Sequence, residues 1–165
     1  MPHQPVINGF EFATAGATQE GTLPISSFPR LQDMLVSNAG EVAYALHGVR
    51  DERGRPSLRL SVRGTLQLRC QRCLGPLAHH VQTQALLVLA SSQAEIDAEP
   101  ASADAPDRVV AGKEMAVRDL VEDELILDLP YAPRHESCAA RVESNAAAGV
   151  SSPFAGLRGL MQRKH

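Results

Sequence analysis

Residues 57–70 read SLRLSVRGTLQLRC, and this segment predicts the fold class. Apolar and polar side chains alternate over a full strand length, which is typical of a β-strand with one buried and one exposed face. The apolar residues at 58, 60, 62, 66 and 68 share one side, whereas Arg59, Arg63 and Arg69 lie on the other. We therefore expect a strand that packs on a core with one face and presents arginines on the other.

Two further strands are predicted beside this segment. EVAYALHGV at 41–49 alternates well enough for a strand, and DERGRP at 51–56 supplies the turn between the two. AHHVQTQALLVL at 78–89 predicts a third strand, so the three would form an antiparallel meander. We expect an α+β fold built on an antiparallel sheet, either open or barrel-like, with a few short helices.

The other segments predict short helices and irregular stretches. The N-terminal residues predict loops with one extended piece at 21–25. Ser27 followed by FPRLQDMLVS indicates a capped short helix, and residues 115–129 indicate an amphipathic helix that stops at Pro130. Residues 91–107 are small, acidic and proline-containing, which favours a flexible acidic loop.

The C-terminal residues complete a single predicted domain over 1–165. The Ala/Ser-rich segment 139–152 is expected to be mobile, and 152–165 could form a short basic amphipathic helix that docks a partner. A chain of 165 residues with 44% hydrophobic residues is long enough for one ordinary domain with a real core. No run of 18 apolar residues is present, so no membrane span is expected.

Charge and cysteine usage restrict the function class. The odd count of three cysteines and an N-terminus without secretory signal features predict a reducing, cytoplasmic location. The net charge of −3 alone would argue against nucleic acid. However, residues 50–72 carry seven arginines against Asp51 and Glu52, whereas 91–128 carry eleven acids against three basic residues. Such segregation can present a basic face whatever the total charge.

LRCQRCLGPL at 68–77 contains two cysteines separated by two residues. A thioredoxin-like redox pair needs its first cysteine at a helix N-terminus, which the following Leu-Gly-Pro disfavours. C-x-x-C-x-G after a strand is instead typical of a zinc knuckle, in which a glycine suits the turn. An H-x-x-C pair at His135 and Cys138 would complete a structural zinc site with Cys70 and Cys73. Unrelated thiols and a redox pair remain the alternatives, and His79 and His80 are predicted as surface residues.

The arginines on the strand face predict a phosphate-binding surface. Arg59, Arg63 and Arg69, with Arg72 at the turn, would form a row of guanidinium groups suited to phosphates. A merely solvated sheet face is the alternative. No aromatic residue lies between 45 and 130, so any contact with RNA is expected to be to its backbone and shape and not to stacked bases.

The predicted helix at 115–129 carries an unusual acid. The stripe formed by Val117, Leu120, Val121, Leu125 and Leu127 includes Glu124, whereas Glu122 and Asp123 fall outside it and are expected to be solvated. A buried Glu124 would need a partner, and Arg69 or Arg72 is the expected one. We therefore predict a structural role for Glu124.

Three motifs resemble those of a known family. CQRCL, VEDELILDLPYAPRHESC and PFAGLRGL occur in the order typical of the YceD family, and the resemblance covers roughly residues 20–165. Cys70, Cys73 and Cys138 match the cysteines of the family, and Glu124 matches its helix acid. Ala116 departs from the pattern, since relatives tend to have an acidic helix cap there.

The resemblance implies a role in the processing or accumulation of large-subunit (23S) rRNA and in ribosome biogenesis. It also implies metal binding, and nucleic-acid binding has been suggested for such proteins. We expect a cytoplasmic, non-enzymatic factor with a structural zinc ion that binds rRNA or pre-rRNA, with a ribosomal protein or an RNase as further partners. The alternative is a zinc-stabilised protein–protein adapter that does not contact RNA, and a nuclease has no convincing set of residues.

Overall fold

The structure of the protein is a computed structural model that describes residues 5–100, 102 and 105–138. Its centre is a six-stranded sheet in which β3 pairs with the end of β5 and the other strands follow the spatial order β2-β4-β5-β6-β7. The strands are β2 (Thr18–Pro24), β3 (Leu35–Ser37), β4 (Glu41–Arg50), β5 (Pro56–Arg69), β6 (Pro76–Ala90) and β7 (Asp107–Val110).

A small second sheet and three helices accompany the large sheet. The second sheet pairs β1 with β8, and α3 follows β8 directly in the chain. Within the described part of the chain, no helix is long and apolar enough to cross a bilayer. The elements are β1 (Val6–Ile7), α1 (Gly9–Thr14), α2 (Gln93–Asp97), β8 (Met115–Ala116) and α3 (Val117–Asp128), with short 3₁₀ turns at Ile25–Ser27 and Gln32–Met34.

The predicted meander of three strands is confirmed. β4, β5 and β6 pair antiparallel in sequence, and the turn at 51–55 connects the first two. The sheet is nevertheless mixed, because β7 runs parallel to β6. Over the described residues β2 and β7 remain the two edges of the sheet, so the barrel-like option is unsupported.

One face of the sheet is covered, and the other is open along most of β5 and β6, although Ser57 and Val88 at one end of this open face are buried. The alternate residues of β5 that were predicted to be buried are at most 1% exposed. On this covered face α1 lies against Gly48 of β4, and α3 reaches Thr83 of β6. The opposite face carries Arg59, Arg63 and Arg69, all exposed. Alternation in the sequence therefore identified correctly which side of β5 packs on the core.

The predicted helix after Ser27 is wrong. The chain forms 3₁₀ turns on either side of an extended Phe28, with φ −98° and ψ 95°, and then enters β3. Proline at 29 disfavours helical backbone at the preceding residue, because its ring clashes with that residue. The Ser27 hydroxyl donates to the Pro24 carbonyl oxygen and does not cap a helix.

The N-terminal region contains more structure than predicted. α1 begins after Asn8, whose side chain accepts a hydrogen bond from the backbone N–H of Glu11. β2 covers seven residues, longer than the extended piece expected at 21–25. The acidic segment 91–107 contains α2, and its predicted flexibility stays a prediction. The segments 139–152 and 152–165 lie outside the described residues.

Gly48 allows α1 to pack closely on the sheet. A Cβ atom at this position would overlap the Phe12 carbonyl oxygen and approach the Ala13 Cα to 2.9 Å. Gly48→Ala is therefore expected to lower the free energy of unfolding by about 2 kcal/mol, because backbone atoms cannot move aside easily. Denaturant unfolding measures this. Gly112→Ala is the control, since its nearest neighbour would lie 3.8 Å away, and equal losses would contradict the close packing of α1.

Candidate metal centre

The turn between β5 and β6 holds the first two cysteines. β5 ends at Arg69, and the Cys70 backbone N–H donates to the Gly75 carbonyl oxygen at 2.9 Å. The Leu74 N–H donates to the Cys70 carbonyl oxygen at 2.9 Å. Leu74 has a φ of 60°, so the left-handed residue of the turn is a leucine and not Gly75. The turn is tight, as a zinc knuckle requires, although the residue that bends it differs from the expectation.

The segment after α3 brings the other two candidate ligands to this turn. Three hydrogen bonds with an N–H donor and a carbonyl oxygen acceptor connect the segment with the turn and the start of β6. The Gln71 backbone N–H donates to the Pro133 carbonyl oxygen at 2.8 Å. The Arg72 guanidinium donates to the Cys138 carbonyl oxygen at 2.9 Å. His135 Nε2 donates to the Pro76 carbonyl oxygen at 2.9 Å. The two halves of the predicted site therefore meet, although they are far apart in sequence.

The four predicted ligands form one cluster. Cys70, Cys73, His135 and Cys138 each offer one ligand atom, and these atoms all lie within 4.8 Å of one another. Cys70 Sγ is 3.8 Å from Cys138 Sγ, and Cys73 Sγ is 3.4 Å from His135 Nδ1. Zn–S bonds of ~2.3 Å and Zn–N bonds of ~2.0 Å in a tetrahedron separate two sulfurs by about 3.8 Å and sulfur from nitrogen by about 3.5 Å. These two distances match a tetrahedral zinc shell, and no two of the four ligand atoms are more than 4.8 Å apart.

The thiols of the cluster differ in acidity. Backbone N–H donors, first that of Cys73 and then those of Arg72 and His135, lower the pKa of Cys70 to about 5 despite its burial. Burial, followed by hydrogen bonding and charge from the other two cysteines, raises the pKa of Cys138. The protein thus stabilises one thiolate, and several thiolates crowded together need a cation to offset their repulsion.

The surroundings of the cluster fit a structural metal site. His135 would bind through Nδ1, because its other nitrogen is engaged with the Pro76 carbonyl oxygen, and such a bond orients a histidine ligand. Three cysteines and one histidine leave no coordination position for a substrate, as in closed structural zinc sites. Neither Cys70 nor Cys73 lies at a helix N-terminus, since the chain passes from β5 through the turn into β6.

The predicted RNA-binding arginines separate into two groups. Arg59, Arg63 and Arg69 project from the open face of β5 and form no ion pair with any other described residue. Arg72 instead lies in the knuckle, where its guanidinium binds the Cys138 carbonyl oxygen. His47, which no sequence pattern indicated, pairs across the strands with Arg59 on the same open face.

The acids of α3 are arranged differently from the expectation. Glu124 is buried, but within the described part of the chain it accepts a hydrogen bond from the Thr83 hydroxyl and none from Arg69 or Arg72. Glu122, expected to be solvated, is only 1% exposed, whereas Leu127 of the expected apolar stripe is 72% exposed. The buried arc of the helix is therefore displaced towards Glu122. The structural role of Glu124 stays a prediction.

Arg30 explains how the charge of Glu122 is accommodated. The Arg30 backbone N–H donates to Glu122 Oε1 at 2.7 Å, and its Nε donates to Oε2 at 3.0 Å. A second guanidinium nitrogen of Arg30 binds Asp123. The incorrectly predicted helix after Ser27 obscured this contact, because Arg30 lies in an irregular segment whose position no sequence pattern gives.

The two adjacent histidines of β6 lie on opposite faces of the sheet. His80 is exposed on the open face beside the Thr65 hydroxyl, as expected of a surface residue. His79 is half-buried on the covered face and its Nε2 lies 2.9 Å from Asp128 at the end of α3. Neither histidine belongs to the metal cluster.

Comparison with known proteins identifies the family. No solved structure matches the chain. The model of the family described as large ribosomal RNA subunit accumulation protein YceD matches residues 58–161, which is more than half of the chain. The match includes β5, the cysteine turn, α3 and the segment that carries His135 and Cys138. The protein therefore belongs to the YceD family of large ribosomal RNA subunit accumulation proteins.

Proposed function

We propose that this protein is a non-enzymatic, cytoplasmic factor that promotes the processing and accumulation of large-subunit rRNA by binding the rRNA backbone. Family membership supports a role in the accumulation of this RNA. The single observation that carries the mode of action is the row of Arg59, Arg63 and Arg69, exposed and without ion-pair partners in the described residues. Free guanidinium groups on a rigid strand are suited to phosphates.

We further propose that a zinc ion bound by the four-residue cluster has a structural role. Zinc would connect the end of β5 to the segment after α3 and so hold the knuckle at the end of the arginine row. Arg72 supports this arrangement through the Cys138 carbonyl oxygen. The metal would thus act on RNA binding indirectly, by fixing the shape of the surface.

The second candidate is a protein–protein adapter of ribosome assembly, with a ribosomal protein or an RNase as its partner. Exposed apolar side chains favour it. Leu74 is half exposed at the tip of the cysteine turn, and Leu127 and Tyr131 are exposed at and after the end of α3. Large apolar side chains near a rigid turn are typical of interaction surfaces. The RNA-binding experiment below distinguishes the two functions.

Simultaneous replacement of Arg59, Arg63 and Arg69 by glutamine is expected to weaken binding to large-subunit rRNA by at least about tenfold near 0.1 M salt. The slope of the logarithm of the binding constant against the logarithm of the salt concentration should also become shallower by about 2 to 2.7. Each lost phosphate contact removes roughly 0.7 to 0.9 from this slope. The fold should be retained, since the covered side of β5 is unchanged. Affinity measured over a series of salt concentrations checks both effects.

A charge-matched variant serves as the control. Replacing Arg53, Lys113 and Arg118 with glutamine also removes three positive charges, but none of these residues lies on the open face of β5. This control should keep most of the affinity and of the salt slope. Equal losses of affinity in both variants would mean that only the net charge of the protein matters and not the position of the arginines. If wild-type protein shows no salt-dependent RNA binding, the adapter function is favoured.

A further inference from the structure

The open face beside the arginine row has an unusual composition for an RNA-binding sheet. β5 and β6 pair in register from Arg59 opposite Leu86 to Arg69 opposite Pro76. The outward positions of both strands in this stretch contain no Phe, Tyr, Trp, Asp or Glu, and the imidazole of His80 is their one aromatic ring. They are Arg59, Ser61, Arg63, Thr65, Gln67 and Arg69 on β5, and Pro76, Ala78, His80, Gln82, Gln84 and Leu86 on β6.

This composition is poorly suited to single-stranded RNA. A flexible single strand loses conformational entropy when it is immobilised, and proteins usually offset that loss by stacking bases on aromatic side chains, worth about 1–3 kcal/mol per base. The outward positions of this stretch offer mainly guanidinium, hydroxyl and amide groups, and the imidazole of His80 is the one aromatic ring on which a base could stack. The surface therefore favours a nucleic acid whose phosphates are already held in place.

The spacing of the arginines points in the same direction. A strand rises about 3.3 Å per residue, so Arg59 and Arg63 are about 13 Å apart along β5, and Arg63 and Arg69 about 20 Å apart. The row thus extends over about 33 Å of β5, and polar side chains separate its cations. A double helix is a stiff rod with many phosphates along such a length, and it can meet widely spaced cations without bending.

The side chains between the arginines favour RNA over DNA. Ser61, Thr65 and Gln67 on β5, and Gln82 and Gln84 on β6, can donate and accept hydrogen bonds. The minor groove of A-form RNA is wide and shallow and displays 2′-hydroxyl groups, which a surface of this kind can contact. Polar side chains that project from a sheet can reach such a shallow groove more easily than a deep, narrow one.

We propose that the open face of β5 and β6 binds double-stranded, A-form segments of rRNA without sequence preference, with the helix held by its phosphates and 2′-hydroxyl groups. The proposal rests on the proposed function, since it specifies the form of RNA that the arginine row recognises. It assigns the arginines to affinity and the neighbouring polar side chains to the choice of RNA over DNA.

The test compares the binding of three probes to the full-length protein as purified, and a second RNA duplex of unrelated sequence is a fourth probe. The first three are an RNA duplex of 20 base pairs, one of its strands with a sequence that does not pair with itself, and a DNA duplex of the same sequence. Affinities are measured by fluorescence anisotropy at several salt concentrations. The RNA duplex is expected to bind about tenfold more tightly than the single strand, a difference of 1.4 kcal/mol, and a second duplex of unrelated sequence should bind equally well.

Two variants assign the effects to residues. The glutamine triple variant at Arg59, Arg63 and Arg69 should lose affinity for both duplexes together. The double variant Gln82→Ala and Gln84→Ala should lose mainly the preference for RNA over DNA, while its salt slope stays that of wild type.

Each other outcome contradicts a stated part of the proposal. A single strand that binds as tightly as the duplex, with a loss in the triple variant, would overturn the duplex assignment and leave the proposed function intact. Equal affinity for RNA and DNA duplexes would overturn the role of the 2′-hydroxyl groups. An absence of salt-dependent binding to every probe would overturn both the inference and the proposed RNA-binding function.

Discussion

Cys73→Ser is expected to release the zinc ion and to lower the free energy of unfolding by about 4 kcal/mol or more, because loss of a structural metal is among the most destabilising single changes. Its thiol lies 3.4 Å from His135 Nδ1, and all four ligand atoms are within 4.8 Å of one another. Without the metal, the segment that carries His135 and Cys138 keeps three hydrogen bonds to the turn and the start of β6, none of which replaces a metal–thiolate bond.

The measurement is elemental analysis together with denaturant unfolding. Wild-type protein should contain about one zinc ion per chain, and Cys73→Ser should contain none. His135→Asn should also lose the metal, whereas His80→Asn is the matched control, because His80 is exposed on the open face and lies outside the cluster. A metal-free wild type whose melting temperature is unchanged by a chelator would refute the zinc site.

Glu122→Ala is expected to lower the free energy of unfolding by about 3 kcal/mol. The Glu122 carboxylate is 1% exposed and accepts charge-assisted hydrogen bonds from the backbone N–H and the Nε of Arg30. Such bonds contribute about 1.5–3 kcal/mol each when buried. The loss is smaller here because half of the Arg30 side chain is exposed, so its guanidinium can form hydrogen bonds with water once Glu122 is removed. The alanine would also leave the Arg30 backbone N–H without its acceptor. It would in addition create a cavity beneath the helix.

The neighbouring acids provide matched comparisons on the same helix. Asp123 also meets Arg30, but its side chain is 56% exposed, so Asp123→Ala should cost only ~0–1 kcal/mol. Glu124→Ala should cost about 1–2 kcal/mol, since the carboxylate is buried but receives a hydrogen bond from the neutral Thr83 hydroxyl. Thermal and denaturant melts rank the three. A larger loss at Glu124 than at Glu122 would contradict the structural assignment.

Several features of this protein could be predicted because they depend on short-range patterns. Alternation between 57 and 70 identified β5 and its buried face, since a strand places successive side chains on opposite sides. The helix that stops before Pro130 was predictable for an equally local reason. The short spacings C-x-x-C and H-x-x-C identified four side chains that the fold does bring together, because metal ligands of few chemical types occur in recognisable pairs.

Other features depend on which distant segments of the chain pack against an element, and no local sequence pattern contains that information. The helix α3 packs on the sheet and is also contacted by Arg30 from the irregular segment before β3. Its buried arc is therefore displaced from the apolar stripe, since it includes Glu122 and leaves out Leu127. The apolar pattern indicated Glu124 correctly as buried, but its partner proved to be Thr83, which only the pairing of β5 with β6 places there.

The sequence by itself thus determined the three central strands, the open arginine face and the identity of the candidate ligands, because these follow from side-chain alternation and ligand chemistry. The tertiary structure alone decided that Leu74 adopts the left-handed conformation of the turn and that β7 joins β6 in parallel. It also decided that Arg72 supports the knuckle, while Arg59, Arg63 and Arg69 form no ion pair among the residues that the structure describes. These outcomes depend on contacts between segments that are far apart in the chain. The free energy of such a contact depends on both segments, so the sequence of one segment alone does not predict it.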